Sequence, residues 1–228
     1  MGTVYNASIV KNGLYVYLDA ANKKSNTGNG SILYDLSGKK NSTTIINGVA
    51  LDSNNGGSFV FDGTNKAVTI PNNITYTNGF SISLWVYPLL LDTTVRRIID
   101  KTSSTSNSVG GLFLHATDTN IFLNVDAATV GISISPTNMP INTWKNIAFT
   151  TTNTGLTNFY INGSLFQSGT LNPPSGITTT NLLTIANRSS GYDRGFNGRI
   201  ASFMLYQSVL SDSEIRQNFE ALRGRYKV

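Results

Sequence analysis

Cysteine is absent from the 228 residues of this chain. Disulfides, thiolate metal ligands and a cysteine nucleophile are therefore excluded. Histidine occurs once, as His115. A histidine-based triad would have to use it, and no Gly-x-Ser-x-Gly elbow accompanies it. One His without Cys also falls short of a zinc site, so His115 is read as a structural or surface residue. Glutamate is almost missing: of 12 acidic residues only Glu214 and Glu220 are Glu. Glycoside hydrolysis generally needs two carboxylates about 5–10 Å apart across the bond. Glu214 and Glu220 lie in one helical stretch at a spacing that points them to different faces. The aspartates show no Asp/Glu-x-Asp/Glu alternation along a strand.

Charge is sparse as well, at 13% of residues against 39% apolar. Polarity comes instead from Ser, Thr and Asn. The net charge is +5, but Lys and Arg come as scattered pairs: Lys23-Lys24, Lys39-Lys40 and Arg96-Arg97. The densest stretch holds Arg216, Arg223, Arg225 and Lys227. A nucleic-acid domain would gather its cations on one stripe. The reading here is solvated charge with helix-end complementarity, no nucleic-acid partner, and contact with an acidic protein as an alternative. No apolar run is long enough to span a bilayer, so no membrane insertion is expected. Residues 1–6 have neither a basic nor an apolar leader region, so no signal peptide is expected. Asn6 stands where myristoylation wants Ser or Thr. Asn-x-Ser/Thr triplets such as Asn73-Ile74-Thr75 are ordinary in an Asn- and Thr-rich chain.

What is present is strand pattern. Gly79 to Pro88 alternates Phe80, Ile82, Leu84 and Val86 with Ser81, Ser83, Trp85 and Tyr87. The second face ends aromatic, which predicts a central strand covered on both sides. Further strands are expected at Gly13–Asp19, Ser58–Asp62, Arg97–Lys101, Trp144–Thr150 and Asn181–Ala186. Asn162-Gly163 between two strand arms is a strong hairpin signal, because both turn residues need positive φ. Asp62-Gly63 predicts a turn from which Lys66–Ile70 returns. Gly111–His115 and Ile121–Val125 form another candidate hairpin. Loops are expected at 102–108 and at Pro173–Gly176.

One helix is expected, over about 212–223. Ser211 and Glu214 form a capping box, Leu210 staples onto Ile215, and Ile215, Phe219 and Leu222 share a stripe that docks on the strands. Gly224 supplies the stop. Many short alternating strands with one helix predict an all-β fold, two stacked antiparallel sheets of jelly-roll type with a short C-terminal helix. Residues 1–228 are read as one domain, without a composition break or repeat.

The blocks Ser58–Asp62, Phe80–Pro88, Trp144–Thr150, Phe159–Gly163 and Phe196–Leu222, in that order, resemble the concanavalin A-like lectin/glucanase superfamily, and within it the laminin-G-like jelly-roll branch. Asn12–Asn22 with Tyr34–Gly38, and Leu210–Tyr226, resemble stand-alone laminin-G-like virion proteins of tailed bacteriophages. This resemblance implies a non-enzymatic virion structural protein on the particle surface, displayed on capsid or tail as decoration, fibre or adhesin. Its partners would be other virion proteins and further copies of itself in a homo-oligomer. A carbohydrate-binding module for host-surface glycans is the alternative. A glycan-degrading enzyme is a third reading, which the missing carboxylate pair disfavours; no catalytic residue is assigned.

Relatives often bind calcium through an Asp after the Gly-x-Ile of the late strand. Here Gly198-Arg199-Ile200 is followed by Ala201-Ser202, so that carboxylate is missing. Asp19, Asp35 and Asp62 are alternative oxygen donors or plain Asx-turn formers; no metal or other cofactor is assigned. Sugar binding would use exposed aromatics and polar loop groups. Trp85 and Trp144 sit inside alternating strands and are read as core. The exposed candidates are Tyr192, Asp193 and Arg194, in the segment Ser189–Gly195, together with Arg96 and Tyr76.

Overall fold

The computed structural model describes residues 8–28, 30–41, 43–54, 56–71, 74–103, 109–127 and 132–228. The leader and myristoylation readings at residues 1–6, Asn73, and most of the loop expected at 102–108 fall outside them. The strands, in chain order, are β1 (Leu14–Asp19), β2 (Ile32–Leu33), β3 (Thr43–Ile46), β4 (Ala50–Asp52), β5 (Ser58–Asp62), β6 (Ala67–Ile70), β7 (Phe80–Pro88) and β8 (Arg96–Lys101). They continue as β9 (Leu112–Ala116), β10 (Ile121–Val125), β11 (Ile132–Ile134), β12 (Lys145–Thr151), β13 (Leu156–Ile161), β14 (Ser164–Thr170), β15 (Leu183–Ile185) and β16 (Asn197–Tyr206). The helix α1 spans Asp212–Leu222.

Two antiparallel sheets result. The helix-bearing sheet runs β14-β13-β12-β7-β16-β5-β4, with β1 also on β16. The second sheet runs β11-β10-β9-β8-β15-β6-β3-β2. This is the jelly-roll sandwich the alternation predicts. β7 is central between β12 and β16, and its residues are buried on both faces apart from a half-buried Tyr87. Asn162 (φ 50°) and Gly163 (φ 72°) make the expected turn between β13 and β14, and β9 pairs with β10 as expected. Pro174–Gly176 is a short 3-10 turn in the expected loop.

One expected hairpin is not formed. β5 lies in the helix-bearing sheet and β6 in the second, so the Asp62-Gly63 turn is a crossover between layers. Phe59, Phe61, Val68 and Ile70 all enter the same inter-sheet core. Burying them from two opposed layers wins over local pairing, and the Gly63 N–H is taken by the Phe196 carbonyl at 3.1 Å.

Two apolar cores hold the fold. The first fills the space between the sheets with Phe61, Phe80, Ile82, Leu84, Ile99, Leu114, Leu123, Phe149, Phe159, Phe203 and their neighbours. The second lies on the outer side of the helix-bearing sheet, where Ile215, Phe219 and Leu222 cover Trp85, Ala148, Tyr160, Met204 and Trp144. Trp85 stacks on Phe219 with centroids 5.7 Å apart and meets Tyr226 at 4.3 Å. Both tryptophans are core, as their strand positions predict.

The helix begins as read: Ser211 accepts the Glu214 N–H and Glu214 accepts the Ser211 N–H at 2.8 Å. It does not end on a left-handed glycine. Arg223 is the C-cap at φ −56°, and a 3-10 turn runs through Arg225. This tighter exit drops Tyr226 onto the tryptophans and brings Arg225 to Asp19, so packing sets the helix end. Buried Asn218 accepts the Val10 N–H at 2.8 Å, tying the segment before β1 to the helix.

Candidate functional site

Among the described residues the outer face of the second sheet carries no helix. Alternation sends Leu112, Leu114 and Ala116 of β9 into the core and Phe113 and His115 outward; on β10, Phe122 and Asn124 point outward. Register sets His115 between Arg97 and Phe122, and Phe113 between Asp100 and Asn124. A β-bulge between Arg97 and Ile99 lets both Ile98 and Ile99 face the core while Arg97 and Asp100 face out. Where alternation ordinarily places small polar groups, three half-buried rings thus sit together: His115 is 5.2 Å from Phe113 and 5.0 Å from Phe122 between centroids. The Arg97 guanidinium lies over the Phe113 ring, 3.7 Å from its centroid, a favourable cation–π contact.

A loop, residues 187–195, closes one side of this face. Fully buried Asn187 holds it: its Oδ1 accepts the N–H groups of Arg188 and Arg194, both at 2.9 Å, and its Nδ2 donates to the carbonyls of Thr64 and Lys66. Arg97 N–H donates to the Arg194 carbonyl at 2.8 Å, and Ser189 N–H to Asp100 Oδ1 at 3.0 Å. These bonds bring Arg188, Asp193 and Arg194 near enough to Arg97 for their charges to act on it, with Tyr192 on the same loop. Tyr192 takes φ +53°, a region that L residues rarely occupy. Arg188 is ion-paired with Asp193, and Arg97 Nε lies 3.2 Å from Asp100 Oδ2.

The electrostatics follow from burial. Burial lowers the Arg97 pKa to about 10, and the charges of Arg194 and Arg188 push it the same way against the pull of Asp100. His115 is pushed down to about 4, first by burial and then by Arg97 and Arg194. His115 is therefore neutral at pH 7. A neutral ring beside the N–H of Arg97 Nη1, at 3.3 Å, accepts on Nδ1 and carries its proton on Nε2. The patch offers flat apolar rings and hydrogen-bond donors, a combination suited to ring-shaped polar ligands.

A profile of the concanavalin A-like lectin/glucanases superfamily matches residues 62–216. The chain belongs to this superfamily. No curated protein sequence matches it. Among solved structures, it is similar to the binding domain of botulinum neurotoxin DC in complex with rat synaptotagmin II, with TM-score 0.72 and 20% identity over 93% of this chain and 52% of that one. It is also similar to domain 4 of AbnA, a GH43 extracellular arabinanase from Geobacillus stearothermophilus, in complex with arabinotriose, with TM-score 0.67 and 20% identity over 90% of this chain and 97% of that one. A third is botulinum neurotoxin type C, described as entering cells through interaction with two ganglioside molecules, with TM-score 0.69 and 20% identity over 92% of this chain and 51% of that one. The chain spans about half the length of the toxin domains. At these identities the likeness is one of fold.

Within this lectin-like framework the expected site residues divide. Tyr192, Asp193 and Arg194 stand together on the loop, at least partly accessible. Arg96 and Tyr76 do not join them as exposed groups. Tyr76 is 3% exposed, packed edge-on against Phe80 inside the sandwich; its ring stabilises more in the core than its hydroxyl gains from water. Arg96 is 9% exposed, forked onto Asp92 and donating to the Gly195 carbonyl at 3.1 Å. It braces the start of β8. Phe113, Phe122, Arg97 and Arg188 were not singled out from sequence. The signal for the first two was available: a β9-β10 hairpin that alternates aliphatic residues with aromatics on one face of both its strands.

Asp19, Asp35 and Asp62, the oxygen donors considered for calcium, are taken by other partners. Asp19 is buried, and both of its oxygens receive Arg225 Nη1, at 2.9 and 2.8 Å. Asp35 accepts from Tyr17, Ser37 and Asn41 N–H groups, and Asp62 from Thr64, in Asx-type turns. Each carboxylate already serves the backbone or a guanidinium. A cavity of about 740 Å³ lies elsewhere, bordered by Ala21, Leu51, Gly57, Asp52 and Arg225. Among the described residues no aromatic ring lines it, and Asp52 and Arg225 are engaged by Arg199 and Asp19. We therefore favour the outer face of the second sheet as the site.

Proposed function

We propose that this chain is a non-catalytic carbohydrate-recognition module that binds on the outer face of its second sheet. Phe113, His115 and Phe122 supply the stacking floor; Tyr192, Asp193 and Arg194 supply the polar rim, and Arg97 and Arg188 lie buried behind it. The observation that carries this reading is the outward aromatic row beside a loop fastened by buried Asn187. The arabinotriose held by AbnA domain 4 supports it by analogy of fold. For the non-catalytic part, support comes from the placement of Glu214 and Glu220 on α1, across the molecule, and from Asp100, which is fully buried and accepts from Thr102 and Ser189. A glycan array of the purified chain tests the reading. Saturable binding that weakens about tenfold or more in Phe122→Ala and in Tyr192→Ala, with melting unchanged, is expected. Binding indifferent to both substitutions refutes the site.

The setting we propose is the surface of a tailed-bacteriophage particle, as decoration, fibre or adhesin. The resemblance of residues 12–22, 34–38 and 210–226 to virion proteins supports it. Among the described residues no helix is long and apolar enough to cross a membrane. Mass spectrometry of purified particles tests the setting, and absence of the chain from them refutes it. Self-association is proposed through β14, the edge of the helix-bearing sheet. It has no charge and no Pro, and Leu165 and Phe166 are 50% and 42% exposed, which makes it an unprotected edge. Sedimentation should give an oligomer that Phe166→Lys dissociates; a monomeric parent chain refutes this.

A further inference from the structure

We propose that the sugar taken by this face carries a carboxylate, bound by the partly exposed Arg194 where the buried guanidiniums of Arg97 and Arg188 lie behind it beside His115; the inference rests on the carbohydrate reading above. Three guanidinium groups converge there against two carboxylates, Asp100 and Asp193. Asp100 is largely committed elsewhere. Its Oδ1 accepts from Thr102 N, Thr102 Oγ1, Ser189 N and Ser189 Oγ, all within 3.0 Å. Its Oδ2 faces Arg97 Nε at 3.2 Å, but neither atom makes a well-aligned hydrogen bond among the described residues, although both are buried. Asp193 is given to Arg188. Among the described residues the corner is left with one positive charge over, on the partly exposed Arg194.

The donors are also of one kind. Arg97 is pinned flat over Phe113, its Nε turned to Asp100 and one Nη1 N–H to His115, and at 7% exposure it serves as a fixed positive charge behind the face. His115 presents Nε2–H. Arg194 is partly exposed beside them. Arg194, the guanidinium left over once Asp100 and Asp193 have taken Arg97 and Arg188, only donates and so matches a ligand that only accepts. A carboxylate does so in plane with the fork and with charge assistance, whereas sugar hydroxyls must also donate. The Arg188–Asp193 pair is an internal example of a guanidinium in this loop holding a carboxylate.

Titration calorimetry of the full chain tests this with 3′-sialyllactose and a β-glucuronyl disaccharide, each as free acid and as methyl ester, and with lactose as the neutral probe. At least one acid should bind about tenfold or more tighter than its ester, and that advantage should shrink at high salt and vanish in Arg194→Gln. Whichever acid carries the advantage identifies the source of the carboxylate. Arg97→Gln is a second variant; if it fails to fold, Arg194→Gln still decides. Equal binding of acids and esters overturns the inference while leaving the carbohydrate reading intact. An advantage that survives Arg194→Gln overturns the assigned corner. No binding of any probe, together with a blank glycan array, overturns the carbohydrate reading itself.

Discussion

Gly163 offers the sharpest test of how the helix is seated. It occupies the second position of the β13-β14 turn at φ +72°. A Cβ built there would lie 2.8 Å from Phe219 Cβ and 3.0 Å from Phe219 Cγ. Gly163→Ala therefore carries two costs. Holding an L residue in the left-handed region costs about 1–2 kcal/mol. Pushing the Phe219 side of α1 off Trp85 and Trp144 is overpacking of a filled core, which costs about 1–3 kcal/mol. The sum is about 2–5 kcal/mol. Gly48 provides the matched control. Its φ is +67°, and an added Cβ there meets nothing within 4 Å, so Gly48→Ala carries only the backbone cost. Urea denaturation of both variants and the parent chain reads the two terms separately. We expect Gly163→Ala to lose about 1–3 kcal/mol more than Gly48→Ala. Equal losses would mean that the turn and the helix do not touch as described, and the docking of α1 would have to be redrawn.

Ser211→Ala removes the cap and should cost about 1 kcal/mol in the same assay; no loss would remove the capping box from the account. His115 is neutral in the folded chain down to about pH 4 but protonates near 6.5 when unfolded. Its contribution is complete above pH 6.5, is lost as pH falls from 6.5 to 4, and stays level below that. The loss is about 3 kcal/mol by pH 4. Denaturation of parent and His115→Phe chains between pH 7 and pH 4 should give curves that converge by this amount, and parallel curves would refute it. Arg225→Ala strands the buried Asp19 carboxylate and should cost roughly 2–3 kcal/mol. The double change Asp19→Asn with Arg225→Met should recover part of that loss, and additive losses would deny the coupling.

The legible parts of this fold were the local ones. The alternation of residues 79–88, the Asn162-Gly163 turn and the Ser211/Glu214 box each depend on neighbours within a few positions. Which sheet a strand joins does not, so Asp62-Gly63 reads as a hairpin although it links two layers. The helix end at Gly224 was misread for the same reason: the pull on Tyr226 comes from Trp85 and Trp144, far away in sequence. At the site, Tyr192, Asp193 and Arg194 were visible as a polar loop. Arg97 and Arg188 were not, because only the tertiary fold buries two guanidiniums beside Phe113 and Asp100. Tyr76 and Arg96 were misplaced by the usual exposure of their residue types. Buried Tyr76 and braced Arg96 are decided by what packs around them.

The clasp between Asn218 and Val10 has a geometric corollary. Gln217 also donates to the Ser8 carbonyl at 2.6 Å, so residue 8 and the last turn of the chain both sit behind the helix-bearing sheet. Anything joined at either of these points would hold the sandwich from the rear and leave the aromatic row looking outward. The clasp and the aromatic row thus lie on opposite sides of the sandwich, and side chains at 188–194 could vary without disturbing the packing of α1.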